Sequence, residues 1–440
     1  MTTPVDTAAT ARQSTAHHTA AEKARQSAAP TAPRRGEGVR RSLAHWLESP
    51  LATYYVLVGS TIALVAFGLV MVLSASSIDA YESKGSIFAV FGNQALFAII
   101  GTVTALVATR IPVRGYRLLA GPALLAAIGL QALVFTGMGV TVNGNRNWLA
   151  LGPVSIQPSE LAKIALILVG AVILAKKRTL LGRYRHVVVP FLVPIAVLVI
   201  GLVLRGHDLG TSLILLAIVA AVLFAAGVPT RAFVGAALAA GAVVAAFVFT
   251  SEDRMGRITT WLSASCSNPD SAECGQTVHG LFALADGGWW GVGLGASREK
   301  QGWLPSAHND FIFAVIGEEL GLPGTLSVLI LFAMLAWACY RLVLGASDQF
   351  VRIATVGVMA WVMVQAIVNI GTVIGLLPVI GVPLPLVSAG GSALVTTMAA
   401  LGMLMSFARA EPAAAEALRA RPGVVRRSLA VLPRRGQGRS

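Results

Sequence analysis

TYYVLVGSTIALVAFGLVMVLSAS, residues 53–76, runs for 24 residues without a Lys, Arg, Asp, Glu or His. At about 1.5 Å of rise per residue, such a stretch crosses the roughly 30 Å of a bilayer's hydrocarbon layer as one α-helix. Similar apolar runs follow at 88–109, 118–136, 158–175, 189–204, 211–227, 233–250, 321–340, 353–376 and 388–408. The fourth and fifth are short. Of the 440 residues, 55% are hydrophobic and 12% charged, where soluble domains carry about 25% charged residues. A soluble enzyme is excluded, and the pattern predicts an all-α polytopic membrane protein of about ten transmembrane helices.

The charges orient it. A formal charge of +14 would suggest nucleic acid in a soluble chain, but here its placement matters more than its sum. With a cytoplasmic N-terminus, 26 of the 34 Lys and Arg fall on cytoplasmic segments, against only 7 of the 20 Asp and Glu. That is the positive-inside bias, with both termini cytoplasmic and anionic lipid, not nucleic acid, as the partner of the basic face. Residues 1–38 read as a disordered basic tail without the apolar core of a signal peptide. Residues 39–52 read as a juxtamembrane amphipathic segment with Trp46 at the interface, 53–408 as the membrane domain, and 409–440 as a basic cytoplasmic tail. One long extracytoplasmic loop, 251–320, separates helices 7 and 8, and is too long for a passive turn. Cys266 and Cys274 lie in that loop, where an oxidising compartment allows a local disulfide; two free thiols are the alternative. Cys339 falls in an apolar span and reads as packing.

Ionisable residues near membrane depth are costly and mark function. In this topology Arg146, Glu160, Lys163, Arg205, Asp208, Lys300, His308, Asp310, Glu318 and Glu319 all fall on the outward half. This argues for a substrate handled at the outer leaflet, since transporters place such groups near the midplane. In NGNRNWLALGPVSIQPSELAK, 143–163, Glu160 and Lys163 are i,i+3 neighbours at a helix start, either a structural ion pair or, with Arg146, a site for an anionic group. Asp208, in the turn RGHDLGT, is a helix cap or a site residue. GGWWGVGLG, 287–295, superficially resembles a dinucleotide fingerprint but has no βαβ context; close backbone approach, or Trp289 and Trp290 at the interface, fits better. In LPSAHNDFIFAVIGEELG, 304–321, a helix would align Asp310, Ala314, Gly317 and Gly321, a carboxylate over small residues that leave room for a substrate. Apolar surroundings would raise its proton affinity toward that of a general base; the alternative is a carboxylate that complements a helix dipole. PVIGVPLPLVSAGGSAL, 378–394, reads as a stiff outer loop whose Ser388, Gly390 and Gly391 open the last span, as a phosphate-binding helix start or as close packing.

These clusters, with MVLSAS at 71–76, NG-x-R at 143–146, DLGT at 208–211, NIG-x-VIGLLP at 369–378 and SAGGS at 388–392, resemble the SEDS family of bacterial cell-wall polymerases, and the division branch more than the elongation branch. The resemblance implies a membrane glycosyltransferase that polymerises lipid II at the outer leaflet and releases undecaprenyl pyrophosphate. It makes Asp310 the catalytic carboxylate that deprotonates the acceptor 4-hydroxyl. Arg146, Glu160, Lys163, Asp208, Lys300, His308, Glu318, Ser388, Gly390 and Gly391 become substrate-binding or cavity-lining residues. It also implies a divalent cation, Mg or Mn, on the pyrophosphate, a class B penicillin-binding transpeptidase and other divisome proteins as partners, and a bacterial plasma membrane location at the septum. His207 stands where the family usually has Pro, and Asn147 where many members have Arg. A lipid II flippase, an elongation-type polymerase and an inactive scaffold are the competing readings, and Asp310 separates polymerase from flippase.

Overall fold

The computed structural model describes residues 49, 51–142, 145–152, 154–180, 188–249, 255–256, 261 and 275–420. The N-terminal tail, most of the juxtamembrane segment, Cys266, Cys274 and residues 421–440 lie outside the described residues. The helices are α1 (Ala52–Lys84), α2 (Ala89–Ala108), α3 (Val113–Leu133), α4 (Pro158–Lys176), α5 (Leu198–Arg205), α6 (Leu209–Ala226), α7 (Thr230–Phe249), α8 (Gly275–Gly287), α9 (Ile312–Gly345), α10 (Gln349–Val373), α11 (Gly391–Ala410) and α12 (Pro412–Ala420). A helix stands at each of the ten apolar runs, and among the described residues eight helices are long and apolar enough to cross a membrane. The chain is a multi-pass membrane protein. The fifth run is broken: Val188–Val197 is a wide π-helical stretch that leads into the short α5, and Pro194 inside it removes an N–H from the helical ladder.

Helix ends follow local chemistry. Pro158 opens α4 with Glu160 in its first turn, Asp208 caps α6 by accepting from the Thr211 N–H at 2.9 Å, and Asp348 caps α10 through the Phe350 N–H at 3.0 Å. Gly227, at φ 80°, ends α6. The helix expected to open at 321 starts at Ile312, and Gly321 (φ 64°, ψ −155°) kinks it ahead of Pro323. α4 is the central post, with 72% of its apolar window buried against 22% for α2 and α3, which face lipid. Glycine lets the posts close up: a Cβ on Gly170 would stand 2.8 Å from Phe191, and one on Gly402 2.5 Å from the Ala105 carbonyl.

Among the described residues one small sheet interrupts the helices. Between α3 and α4 the strands β1 (Gly139–Val142), β2 (Asn145–Leu151) and β3 (Val154–Ile156) form a small antiparallel sheet in the order β1-β2-β3. Val140 pairs with Trp148 and Thr141 with Arg146, so the register slips at Asn147. The bulge turns Asn147 inward against Gly206, where a Cβ would meet its Oδ1 at 1.8 Å.

Candidate active site

The segment 378–390, expected to lie outside, descends into the membrane domain. Leu384, Leu386, Val387 and Ser388 are buried, and a Cβ on Gly68 would sit 2.6 Å from the Val387 Cα and 2.7 Å from the Leu386 carbonyl. Gly68 is sixteen residues from the inner end of α1, or about 24 Å at helical rise, so the tip of this re-entrant loop stands in the outer leaflet. Irregular backbone is tolerated at that depth because protein encloses it. Glu160 on α4 and Gln365 on α10 lie at the same height, about 24 Å from their inner ends, and Asn369 at about 30 Å, the outer edge of the hydrocarbon.

Two side chains one turn apart on α10 hold this loop. Gln365 Nε2 donates to the Pro383 carbonyl at 2.9 Å; Asn369 Nδ2 donates to the Val382 carbonyl at 2.8 Å and to the Asp310 carbonyl at 2.7 Å. Ser388 Oγ donates to the Asn309 carbonyl at 2.6 Å and accepts from the Leu384 N–H at 2.8 Å. The Ala389 N–H donates to the His308 carbonyl at 3.0 Å. The re-entrant loop and the segment bearing Asp310 are therefore one hydrogen-bonded body. Asp310 precedes α9 in a turn that begins at Ser306 (φ 61°), and Gly381 (φ 74°) is its neighbour: a Cβ there would lie 3.6 Å from Asp310 Oδ2.

Below this body, Lys163 Nζ bonds Glu160 Oε1 at 2.7 Å and Gln365 Oε1 at 3.2 Å and lies 5.1 Å from the Trp361 ring centre. Lys163 and Glu160 are 2% and 3% exposed. The i,i+3 pair expected from sequence is thus a buried bridge between α4 and α10. Asp208 joins from the side, accepting from Gln157 Nε2 at 3.0 Å and Thr211 Oγ1 at 2.7 Å. It is both cap and site neighbour, and burial pushes its carboxyl above the usual range while the Thr211 bonds pull it back.

A second knot lies against α1. Lys300 Nζ bonds Glu319 Oε1 at 2.7 Å, and Ser74 Oγ donates to Glu319 Oε2 at 2.6 Å. Glu318 accepts from Ser297 Oγ at 2.5 Å and the Arg298 N–H at 2.6 Å. Both glutamates anchor the loop. His308 Nδ1 is 3.5 Å from Asp79 Oδ2; burial pushes His308 below its usual range, and Asp79 partly offsets this.

Three expectations change. Arg146 is not gathered with Glu160 and Lys163: its Nε and terminal nitrogen donate to the Val134 and Thr136 carbonyls at 3.1 and 2.8 Å, closing the end of α3. The small face of α9 offers no room, because Gly317 is covered by Leu284 and by Gly287, whose Cβ would stand 1.9 Å from the Gly317 carbonyl; Asp310, ahead of the helix, is off that face. The Gly390 N–H is used by Gln94 Oε1 at 3.1 Å, while Gly391 packs on Phe97. Sequence reading met Ser74, Gln157 and Asn369 only inside quoted motifs and passed over Gln94 and Gln365. Gln94, Gln365 and Asn369 carried a signal, since a buried amide within an apolar span needs a partner. Among the described residues no three His, Cys, Asp or Glu gather to hold a metal.

The sequence that builds this fold and site matches a family model described as a cell cycle protein and named for FtsW, RodA and SpoVE, over residues 55–412. The chain belongs to the FtsW, RodA and SpoVE family. It is similar to the Mycobacterium tuberculosis protein named probable peptidoglycan glycosyltransferase FtsW, with 40% identity over 377 residues, 85% of this chain and 71% of that one. It is also similar to the stage V sporulation protein E of Bacillus subtilis, at 34% over 80% of this chain and 96% of that one. Among solved structures, RodA of Thermus thermophilus matches with a TM-score of 0.59 at 27% identity, over 84% of this chain and 99% of that one. A chain solved in work on how a peptidoglycan synthase complex coordinates polymerization and crosslinking matches at 0.65 and 29%, over 81% and 98%. This is the SEDS family that the motifs resemble, and the FtsW and RodA relatives share the polytopic helical fold.

Proposed function

We propose that this FtsW-like chain is a peptidoglycan glycosyltransferase that polymerises lipid II at the outer leaflet, with Asp310 as the general base. The observation that carries the reading is the placement of Asp310, fixed at the outer hydrocarbon edge by Asn369 above a buried polar network. The carboxylate takes the proton of the acceptor sugar 4-hydroxyl as its oxygen attacks the donor anomeric carbon; the anomeric C–O bond breaks and undecaprenyl pyrophosphate leaves. Asn369, Ser388 and the re-entrant loop hold Asp310 in place. Arg146, Lys163 and Lys300 would each have to exchange a protein partner for a phosphate oxygen to bind the pyrophosphate. A divalent cation on the pyrophosphate would assist departure of the leaving group. A division-type transpeptidase and a septal location complete the proposal.

The test is polymerisation of labelled lipid II by the full chain, alone and with its transpeptidase, comparing wild type with Asp310→Ala. Polymer from wild type only supports the proposal. Equal polymer from both removes Asp310 as base; none from either folded protein, with the transpeptidase present, favours the flippase or scaffold reading.

A further inference from the structure

The turn that follows α8 has two faces. Its inner face is hydrogen-bonded to the main chain of α9: the Val292 and Gly293 N–H groups donate to the Glu318 and Glu319 carbonyls at 2.9 and 3.0 Å, and the Leu322 N–H donates to the Gly288 carbonyl at 3.2 Å. The contact admits no side chain, since a Cβ on Gly291 would lie 2.3 Å from the Glu319 carbonyl. The turn is therefore fixed in height on a membrane-spanning helix. Leu322 is 23 residues from the inner end of α9, about 35 Å, which is the level of the outer headgroups.

The other face is apolar and open. Trp289 is 74% exposed, Trp290 85% and Leu294 60%, with Val292 also exposed. It continues into Leu322 and Leu326, exposed on α9 itself. Two indole rings at headgroup height, joined to a lipid-facing helix surface, suit the boundary between acyl chains and headgroups, where an indole buries its ring and keeps its N–H in polar surroundings. We propose that the Trp289–Trp290 turn inserts into the outer leaflet as a lipid anchor. It thereby fixes the height of the Lys300–Glu319–Ser74 knot, which is built on the same stretch of α9.

The test uses the full chain in phosphatidylcholine–phosphatidylglycerol nanodiscs whose acyl chains carry bromine, a contact quencher of indole emission, either near the headgroup or at the chain end. The emission lost between wild type and the W289F/W290F variant reports these two rings alone. Headgroup-proximal bromine should quench most of that difference, and chain-end bromine less; aqueous acrylamide should quench little. A difference emission untouched by either brominated lipid and quenched by acrylamide would overturn the anchor and leave the rings in water, available to a sugar. Should the double variant fail to reconstitute, W289F and W290F give the same reading singly. The measurement does not depend on polymerisation.

Discussion

Glu319 and Asp310 are carboxylates nine positions apart near the outer end of one helix, and the chain treats them in opposite ways. Glu319 is 1% exposed and is held by Lys300 and Ser74. Asp310 is partly buried, held through its own carbonyl by Asn369, with bare backbone at Gly381 beside its carboxylate. Residue type and sequence distance do not separate the two. What separates them is surroundings: Glu319 is sealed into a buried ion pair with Lys300, whereas Asp310 is only partly buried, in a turn tied by its backbone to the re-entrant loop.

The sharpest way to break this contrast is to remove each acid in turn. Asp310→Asn should lower lipid II polymerisation by about 10²–10⁴-fold, the usual range for a general base, with the thermal midpoint of the detergent-purified protein falling less than in Glu319→Gln. Glu319→Gln should do the reverse, costing about 3–5 kcal/mol because Lys300 is left buried without its counter-charge. Its thermal midpoint should fall steeply, while activity per folded molecule is largely kept. Asn369→Leu lies between the two, since it strips donors from the Asp310 and Val382 carbonyls at a cost of about 1–3 kcal/mol. It should lower both the midpoint and the polymerisation rate, and a fall in stability alone would show that Asn369 does not position Asp310. The smallest effect concerns His308. Its folded pKa lies below the ordinary 6.5, so between the two values the unfolded chain binds more protons. The stability from keeping it neutral is intact above about pH 6.5 and is lost as the pH falls toward the folded value. His308→Gln should flatten that acid-side decline in a thermal scan.

The helices and their order were legible because hydrocarbon demands long apolar runs, and the basic residues oriented them. The outward cluster was legible for the same reason, since charge near membrane depth stands out. The sheet at 139–156 was not, because its strands of three to seven residues carry little pattern between two strong helical signals. The descent of 378–390 was hidden by its prolines, which look alike in an exposed loop and in one whose carbonyls are satisfied by Gln365 and Asn369. The partners of Arg146 were not legible, because sequence shows a cation near a carboxylate but not the carbonyls of Val134 and Thr136 that take up its donors. Glu160 and Lys163 were legible as a pair, though not as a bridge to Gln365 some two hundred residues away.

At Gly68 the floor of the site is main chain resting on main chain. A helix that meets a loop in this way has a single working register: moving α1 by one residue rotates it about 100° and would drive Phe67 or Leu69 into the Leu386 carbonyl. One-residue insertions or deletions in the first half of α1 should therefore be far more damaging than substitutions on its lipid face. Fusions and tags can still be attached before the helix, where they leave its register unchanged.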